Sequence, residues 1–236
     1  MEKETKSLLP SGAFIMIGLV VLGICLIMSV CKFKSYDRVV SVKGLCEKEV
    51  PADRVTWPLA YKLVGNELST LYKEINQKNS IIIKFLNTNG IVSEDIFVSA
   101  PQIIDLQADR YADQKRIFRY NVTSVITVAT GQVDKVREII NKQTDLLAEG
   151  IALSSDDYNY KVSYDFTGLN TIKPEMIEIA TANARAAAEK FAEDSKSKIG
   201  KIKNASQGQF SVNDRDANTP YIKNVRIVTS IDYYLR

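Results

Sequence analysis

A polar segment near the C-terminus carries the residue types that bind calcium. It reads Asp214-Arg215-Asp216-Ala217-Asn218-Thr219-Pro220, and its Asp-x-Asp-x-Asn spacing matches the opening of a calcium-binding loop. Thr219 stands where the tight turn of such a loop needs glycine, and Val225 stands where it needs a bidentate glutamate. The alternative is a turn in which Asp and Asn side chains accept hydrogen bonds from their own backbone. As a ligand-binding site, the segment offers Asp214, Arg215, Asp216 and Asn218, with Lys223 and Arg226 nearby.

Other side chains that could react or stack have simpler interpretations. Cys46 lies in a predicted strand beside acidic residues, which raise rather than lower the pKa of a thiol, so a small buried hydrophobic residue is expected. Four aromatic residues could stack on a ligand, but their strand spacing is more typical of core or interface positions. They are Trp57, Tyr158, Tyr160 and Tyr164.

The composition excludes several classes of enzyme. The 236 residues contain no histidine, so histidine-dependent serine and cysteine hydrolases and histidine-ligated zinc sites are excluded. No GxxxxGK[ST] or GxGxxG phosphate loop occurs. The carboxylates Glu47, Glu49 and Asp53 have no spacing that fixes an acid–base pair. An enzyme is therefore the least favoured class, and no catalytic residue, metal or cofactor is predicted.

Charge and cysteine content limit the partners and the redox chemistry. With 31 basic and 28 acidic residues the net charge is +3, and the two signs are interleaved, so no nucleic-acid partner is predicted. Two of the three cysteines, Cys25 and Cys31, belong to an apolar N-terminal stretch. The remainder of the chain therefore cannot form a disulfide of its own, but it is long enough to bury a core.

That uncharged stretch runs from Ser7 to Cys31 and predicts a membrane-spanning helix, because a span takes about 20 apolar residues. Residues 12–31 are expected to lie in the membrane. The stretch is longer than the apolar region of a cleaved signal peptide and ends in a poor cleavage site, so an uncleaved anchor is expected, with lipidation of Cys31 as the alternative. Residues 1–35 are then the N-terminal tip and anchor, and residues 36–236 the domain.

The flanking charges leave the orientation open. Two lysines precede the stretch and three basic residues follow it, and the positive-inside rule leans slightly towards a cytoplasmic domain. These residues are Lys3 and Lys6 on one side, and Lys32, Lys34 and Arg38 on the other.

Hydrophobic periodicity predicts an α+β fold: one N-terminal transmembrane helix followed by a mostly antiparallel ββαββαβαββ domain. Alternation predicts strands over 55–63, 120–128 and 225–235, and another strand is expected around 96–106. The charged stretch from Asp105 to Arg119 is expected to be a hairpin end or loop. Pro58 places the second strand at a sheet edge or a bulge. The first domain helix is expected to be capped by Asn66 and to stop at Asn89-Gly90. Its apolar side is expected to comprise Leu68, Leu71, Ile75, Ile82 and Leu86. The longest helix is expected to have Pro174 in its first turn and Gly200 beyond its end. Small residues on one of its faces permit close approach to a neighbour, and this face comprises Ile177, Ala180, Ala184, Ala187, Ala188 and Phe191.

Four segments together resemble the SIMPL-domain proteins of bacteria, in the branch with a single N-terminal anchor. They are GLCEKEVPADRVTWP (44–58), FTGLNTIKPEM (166–176), the alanine-rich run 180–192, and SQGQFSVNDRDANTPYIKNVR (206–226). The resemblance covers residues 39–235. It implies an α+β envelope protein, anchored in the inner membrane by a single pass, whose C-terminal domain lies in the periplasm. Some members look like ring-forming or channel-like oligomers, and roles in oxidative stress tolerance have been proposed for the family without an assigned chemistry. No catalytic residues are established in the family, so none are transferred.

Two functions follow as expectations. The first is a membrane-anchored scaffold or interaction protein that forms a homo-oligomer, with a strand edge or the alanine-rich helix face meeting a different patch on the next copy; no other protein partner is identified. The second is a module that binds a small envelope ligand or calcium through the 214–226 loop.

Overall fold

The computed structural model describes residues 5–35, 38–108, 117–154 and 158–236. The chain forms five helices, nine strands and two short 3₁₀ helices within these ranges. The helices are α1 (Thr5–Ser35), α2 (Leu68–Thr88), α3 (Val133–Ile140), α4 (Asp145–Ala148) and α5 (Leu169–Asp194). The strands are β1 (Val39–Pro51), β2 (Arg54–Gly65), β3 (Ile96–Val98), β4 (Gln102–Asp105), β5 (Tyr120–Thr130), β6 (Ser163–Asp165), β7 (Ile199–Gln207), β8 (Ser211–Asp214) and β9 (Ile222–Leu235).

The predicted α+β class with antiparallel sheets is confirmed. After α1 the order is ββαβββααβαβββ, which has more elements than the sequence predicted. The strand expected over 96–106 is interrupted around Pro101, which has no backbone N–H to donate to a ladder, and so becomes β3 and β4. The short helix α4 and the short strand β8 were not predicted. Most of the expected hairpin loop between Asp105 and Arg119 lies outside the described residues.

Helix α1 contains an apolar stretch long enough to cross a membrane. Phe14–Lys32 spans 19 residues with a mean hydropathy of 2.9, and none of it is buried against the protein. This is the behaviour expected of a candidate anchor, because the apolar surface would otherwise face water.

The chain divides into two compact units. The first comprises Met1–Lys48, Lys173–Ser211 and Arg226–Arg236, and the second comprises Glu49–Ile172 and Val212–Val225. One four-stranded sheet has the order β1-β9-β7, with β8 also paired to β9, and a five-stranded sheet has the order β3-β5-β2-β6, with β4 also paired to β5.

In the second unit, β2 pairs with β5 from Val55 to Gly65. On the other side, β6 pairs only with Arg54–Thr56, and past Pro58 the described residues add an isolated bridge between Tyr61 and Leu153 but no strand ladder. The prediction that Pro58 lies at an edge is consistent with this arrangement, because proline cannot donate to a second ladder. The sheet has a core of large apolar side chains from both strands and from α2 and α3.

Helix α2 confirms its predicted buried face but not its predicted cap. Four of the five expected side chains are buried, while Leu68 is exposed. Asn66 does not cap the helix: its side chain instead accepts a hydrogen bond from the Arg119 N–H at 2.9 Å, and the N-cap residue Glu67 makes no side-chain cap bond. The predicted stop is confirmed at Gly90, which has a φ of +86°.

In the first unit, α5 starts earlier and ends earlier than predicted. It begins at Leu169, so Pro174 lies inside it, and it ends at Asp194. Lys196 has a φ of +53°, and Gly200 belongs to β7. The predicted small-residue face is confirmed in part. Ala180, Ala184 and Ala188 are fully buried, but Phe191 is 61% exposed.

The buried stripe of α5 repeats every four residues and faces its own sheet. It comprises Met176, Ala180, Ala184, Ala188 and Ala192. Ala184 and Ala188 pack in one cluster with Val42, Ile231 and Tyr233. This buried stripe is therefore covered within the chain and is not open to another copy, whereas Phe191 of the predicted face stays exposed.

Candidate functional site

The predicted ligand-binding segment forms the end of β8, a turn, and the start of β9. Asp214 closes β8 and its carboxylate forms an ion pair with the ammonium group of Lys223. Lys223 occupies an inward position of β9, and its side chain is only 9% exposed. Since a buried ammonium needs a charged partner, Asp214 is committed to this pair.

The turn is organised by Asp216. Its carboxylate accepts hydrogen bonds from the N–H groups of Asn218 at 2.8 Å and Thr219 at 2.9 Å, and another from the Thr219 hydroxyl. The hydroxyl bond of Thr219 and the Arg215 guanidinium are the main causes that lower the Asp216 pKa to about 2. This is the self-bonded turn that the sequence offered as an alternative to a calcium loop.

Arg215 and Arg226 each have a carboxylate partner. Within the second unit, Arg215 donates hydrogen bonds to Asp216 at 3.1 Å and to Glu49 at 3.3 Å. The bond to Asp216 is the main cause that raises the pKa of Arg215, followed by the bond to Glu49. Within the first unit, Arg226 forms an ion pair with Glu47 at 3.3 Å. The six predicted residues thus have identified roles in local pairs and in one turn.

Calcium coordination requires several oxygen ligands that converge on one point. In the described ranges, no three Asp, Glu, Cys or His side chains come together in a way that could hold a metal ion. Asp214 and Asp216 instead face separate partners.

A cavity of about 570 Å³ lies beside this turn, within the second unit. One wall is α3 with the residue after it, and another is the loop that leads into β9; Tyr164 of β6 also lines the cavity. The lining residues are Asp134, Arg137, Glu138, Ile140, Asn141, Tyr164, Asn218, Pro220 and Tyr221. Among the predicted site residues, Asn218 belongs to this lining.

Four side chains of this cavity contact one another: Asp134, Arg137, Tyr164 and Tyr221. The Arg137 guanidinium lies 3.5 Å from the centre of the Tyr221 ring, and its Nη1 donates to Asp134 at 3.1 Å. The rings of Tyr164 and Tyr221 meet edge to face with centres 6.2 Å apart. Burial raises the pKa of Tyr164, although Arg137 opposes the shift, so this phenol stays protonated at neutral pH.

Sequence reasoning missed the α3 side of this cavity. Arg137 and Glu138 lie on a short helix, and no spacing relates them to residues some 80 positions later. Tyr164 was expected in the core or an interface, and it is indeed buried. Trp57 is also buried, whereas Tyr158 and Tyr160 belong to a 3₁₀ helix rather than to a strand.

The other candidate groups do not form a catalytic arrangement. Cys46 is buried as expected, and burial, followed by the charge of Glu175, raises its pKa, so the thiol is not activated. Glu47 pairs with Arg226 and Glu49 with Arg215. Asp53 accepts hydrogen bonds from the N–H groups of Thr167 and Gly168.

Comparison with known proteins adds the family but no activity. No curated protein matches the chain. The profile of the SIMPL family, described as "Protein of unknown function (DUF541)", matches residues 40–226. This match covers more than half of the sequence and extends over parts of both units, and the α+β fold agrees with the resemblance found in the sequence. The chain belongs to the SIMPL family.

Proposed function

We propose that the protein is a single-pass protein of the bacterial inner membrane whose C-terminal domain lies in the periplasm and assembles with other copies of itself. Phe14–Lys32 supplies the anchor. The periplasmic side is favoured by the family resemblance, since the flanking charges are nearly balanced. The observation that carries the assembly is an open, apolar sheet edge in the second unit.

This edge, the β3–β4 edge, comprises β3 and β4. Both strands pair with β5, whose other side is occupied by β2, and neither has a second partner among the described strands. Its exposed apolar side chains are Phe97, Val98, Ile103 and Ile104. An open edge with exposed apolar residues is a surface on which another strand can pair, and natural monomers normally protect such edges with charges or a covering element.

A second copy of this chain is the occupant that best fits the edge. Anchoring confines all copies to one membrane with one orientation, which raises their effective concentration. Each copy presents the same unpaired backbone groups, so two edges can pair antiparallel around a two-fold axis, or one edge can pair with a different strand and build a ring. Another edge strand is β7, which is mostly exposed and polar.

The assembly is tested by measuring the mass of the full-length protein in detergent by light scattering. We expect a discrete oligomer for the native sequence and a monomer for Ile103→Lys, because a lysine on an edge strand opposes pairing. Ile202→Lys on β7 is the matched control, since Ile202 and Ile103 are both 53% exposed. A native protein that stays monomeric at all concentrations rejects self-assembly, and dissociation only in the Ile202 variant rejects the β3–β4 edge as the contact.

The orientation has its own test. In spheroplasts, external protease should degrade the C-terminal domain while a tag at the N-terminus remains intact. Protection of the domain in intact spheroplasts, with cleavage only after lysis, would place it in the cytoplasm.

A second function, binding of a small envelope ligand, is favoured by one specific observation. The 218–221 loop that follows the predicted Asp-rich turn forms a wall of the 570 Å³ cavity, and this volume lies in the range of small-molecule sites. This function is independent of the β3–β4 edge.

A further inference from the structure

The cavity beside α3 presents both signs of charge to a ligand. Its polar lining comprises one guanidinium, two carboxylates, two amides and two phenols, contributed by Arg137, Asp134, Glu138, Asn141, Asn218, Tyr164 and Tyr221. Ile140 and Pro220 add apolar surface. A pocket of this kind orients its ligand through a few polar groups while apolar surface covers the remainder.

Arg137 is prepared to receive a planar anion. The Tyr221 ring supports one face of the guanidinium at 3.5 Å, and the bond to Asp134 fixes its orientation. That bond uses one of five N–H donors. The remaining donors keep the fork geometry that matches a carboxylate, and little side-chain entropy is lost on binding because the side chain is already ordered.

Glu138 offers the opposite charge. Its carboxylate lines the same cavity, and among the described residues no ion pair or side-chain hydrogen bond involves it. Asp134 is 90% exposed and shares its charge with Arg137. A ligand with only negative charge would be repelled by the carboxylates of Asp134 and Glu138, and a ligand with only positive charge would be repelled by the Arg137 guanidinium. A ligand that carries both charges satisfies both groups.

We propose that this cavity binds a zwitterion, namely a free α-amino acid or a short peptide with unblocked ends, through Arg137 at the ligand carboxylate and Glu138 at its ammonium group. Tyr164, Tyr221 and Pro220 then contact the apolar part of the ligand. The proposal rests on the ligand-binding function and not on self-assembly.

The test is a titration of the full-length protein in detergent micelles, followed by NMR of the side-chain amides of Asn141 and Asn218. The probes are L-alanine, L-alanyl-L-alanine, the same dipeptide with an acetylated N-terminus, the same dipeptide with an amidated C-terminus, and glucose. We expect saturable binding of alanine or the free dipeptide, and a loss of affinity of about tenfold or more when either end is blocked, because each block removes a charge-assisted contact. The stronger of the two unblocked probes identifies the natural length of the ligand.

Two variants assign the ends. Arg137→Gln should lower the affinity for the free dipeptide about tenfold and leave the affinity for the amidated dipeptide unchanged. Glu138→Gln should likewise lower the affinity for the free dipeptide about tenfold and leave the affinity for the acetylated dipeptide unchanged. Arg185→Gln is the control, since Arg185 forms an exposed pair with Glu189 on α5. The comparison of blocked and free ligands needs no variant, so it stays decisive if Arg137→Gln unfolds the protein.

Three results overturn the proposal: no saturation by either unblocked probe up to tens of millimolar, equal affinity for free and blocked dipeptides, or tighter binding of glucose. Repeating the titration with Ile103→Lys separates this proposal from self-assembly. Unchanged dipeptide binding in a monomeric variant supports the cavity whatever the outcome for assembly.

Discussion

Helices α2 and α5 each pack within their own unit, and they do so in opposite ways. Helix α2 buries the large side chains Leu71, Ile75, Ile82 and Leu86. Helix α5 buries one methionine and four alanines, spaced four residues apart. Helix α2 therefore fills its interface with large side chains, whereas the buried side chains of α5 are mostly single methyl groups.

The alanine stripe brings the backbone of α5 against β1. A Cβ atom built on Gly44 would lie 1.8 Å from the Ala180 carbonyl oxygen and 2.5 Å from the Ala184 nitrogen. Both atoms belong to the helix backbone, so they cannot move aside as the end of a side chain can. The α2 interface therefore depends on the volume that is present, and the α5 interface depends on the absence of one methyl group.

The largest effect is expected from Gly44→Ala. Because the added methyl group collides with helix backbone, α5 must shift as a body, and we expect the free energy of unfolding to fall by about 4 kcal/mol or more. Chemical denaturation of the full-length protein in detergent, followed by circular dichroism, measures this change.

Gly131→Ala is the matched control for that measurement. A Cβ there would lie 3.4 Å from the Asp53 carbonyl oxygen, an ordinary contact, so stability should change by less than about 1 kcal/mol. If Gly44→Ala is as well tolerated as Gly131→Ala, the close approach of α5 to β1 is wrong.

A cavity-forming substitution in α2 should have the next largest effect. Ile82 is fully buried in the cluster that includes Leu59 and Ile126, and Ile82→Ala should cost about 3 kcal/mol, from lost burial and from the cavity left behind. Lys84→Ala, at an exposed position on the same helix, should change stability by less than about 0.5 kcal/mol. Equal effects of the two substitutions would contradict the burial of this face.

The difference between the two helices also explains what the sequence could predict. Alternation and helical periodicity identified β2, β5, β9 and the buried face of α2, because large apolar side chains produce those patterns directly. The alanine stripe was recognised only in part. Phe191 was assigned to the same face as the alanines, yet the buried stripe continues from Ala188 to Ala192 and leaves Phe191 exposed.

Helix ends and the cavity were harder for a different reason. Pro174 is a strong signal for the first turn of a helix, but α5 begins five residues earlier, at Leu169. The Asp53 carboxylate accepts hydrogen bonds from the N–H groups of Thr167 and Gly168, just before this helix. More than a hundred residues separate these groups in the sequence, so no local sequence rule predicts the contact. The cavity likewise depends on α3 meeting the 218–221 loop. The turn around Asp216 was predictable because all its bonds are local.

The smallest change in stability is expected from carboxylates at the N-terminal ends of α5 and α2. Partial burial of Asp53 opposes its ionisation, but hydrogen bonds from Thr167 and Gly168 outweigh this and lower its pKa. Asp53→Ala should cost about 1 kcal/mol at neutral pH, as the loss of a capping carboxylate does. Glu67→Ala at the start of α2 should cost less than about 0.5 kcal/mol, because the Glu67 side chain makes no cap bond.

The pH dependence of that difference has a definite sign. A carboxylate whose pKa is lower in the folded state stabilises the fold above its unfolded pKa of about 3.9, and this contribution is lost as the pH falls through the folded pKa. The gap in unfolding free energy between the native protein and Asp53→Ala should therefore be full at pH 7 and shrink below about pH 4. Denaturation curves at pH 7, 4 and 3 measure the gap. A gap that stays constant over this range would mean that Asp53 acts through packing rather than through its charge.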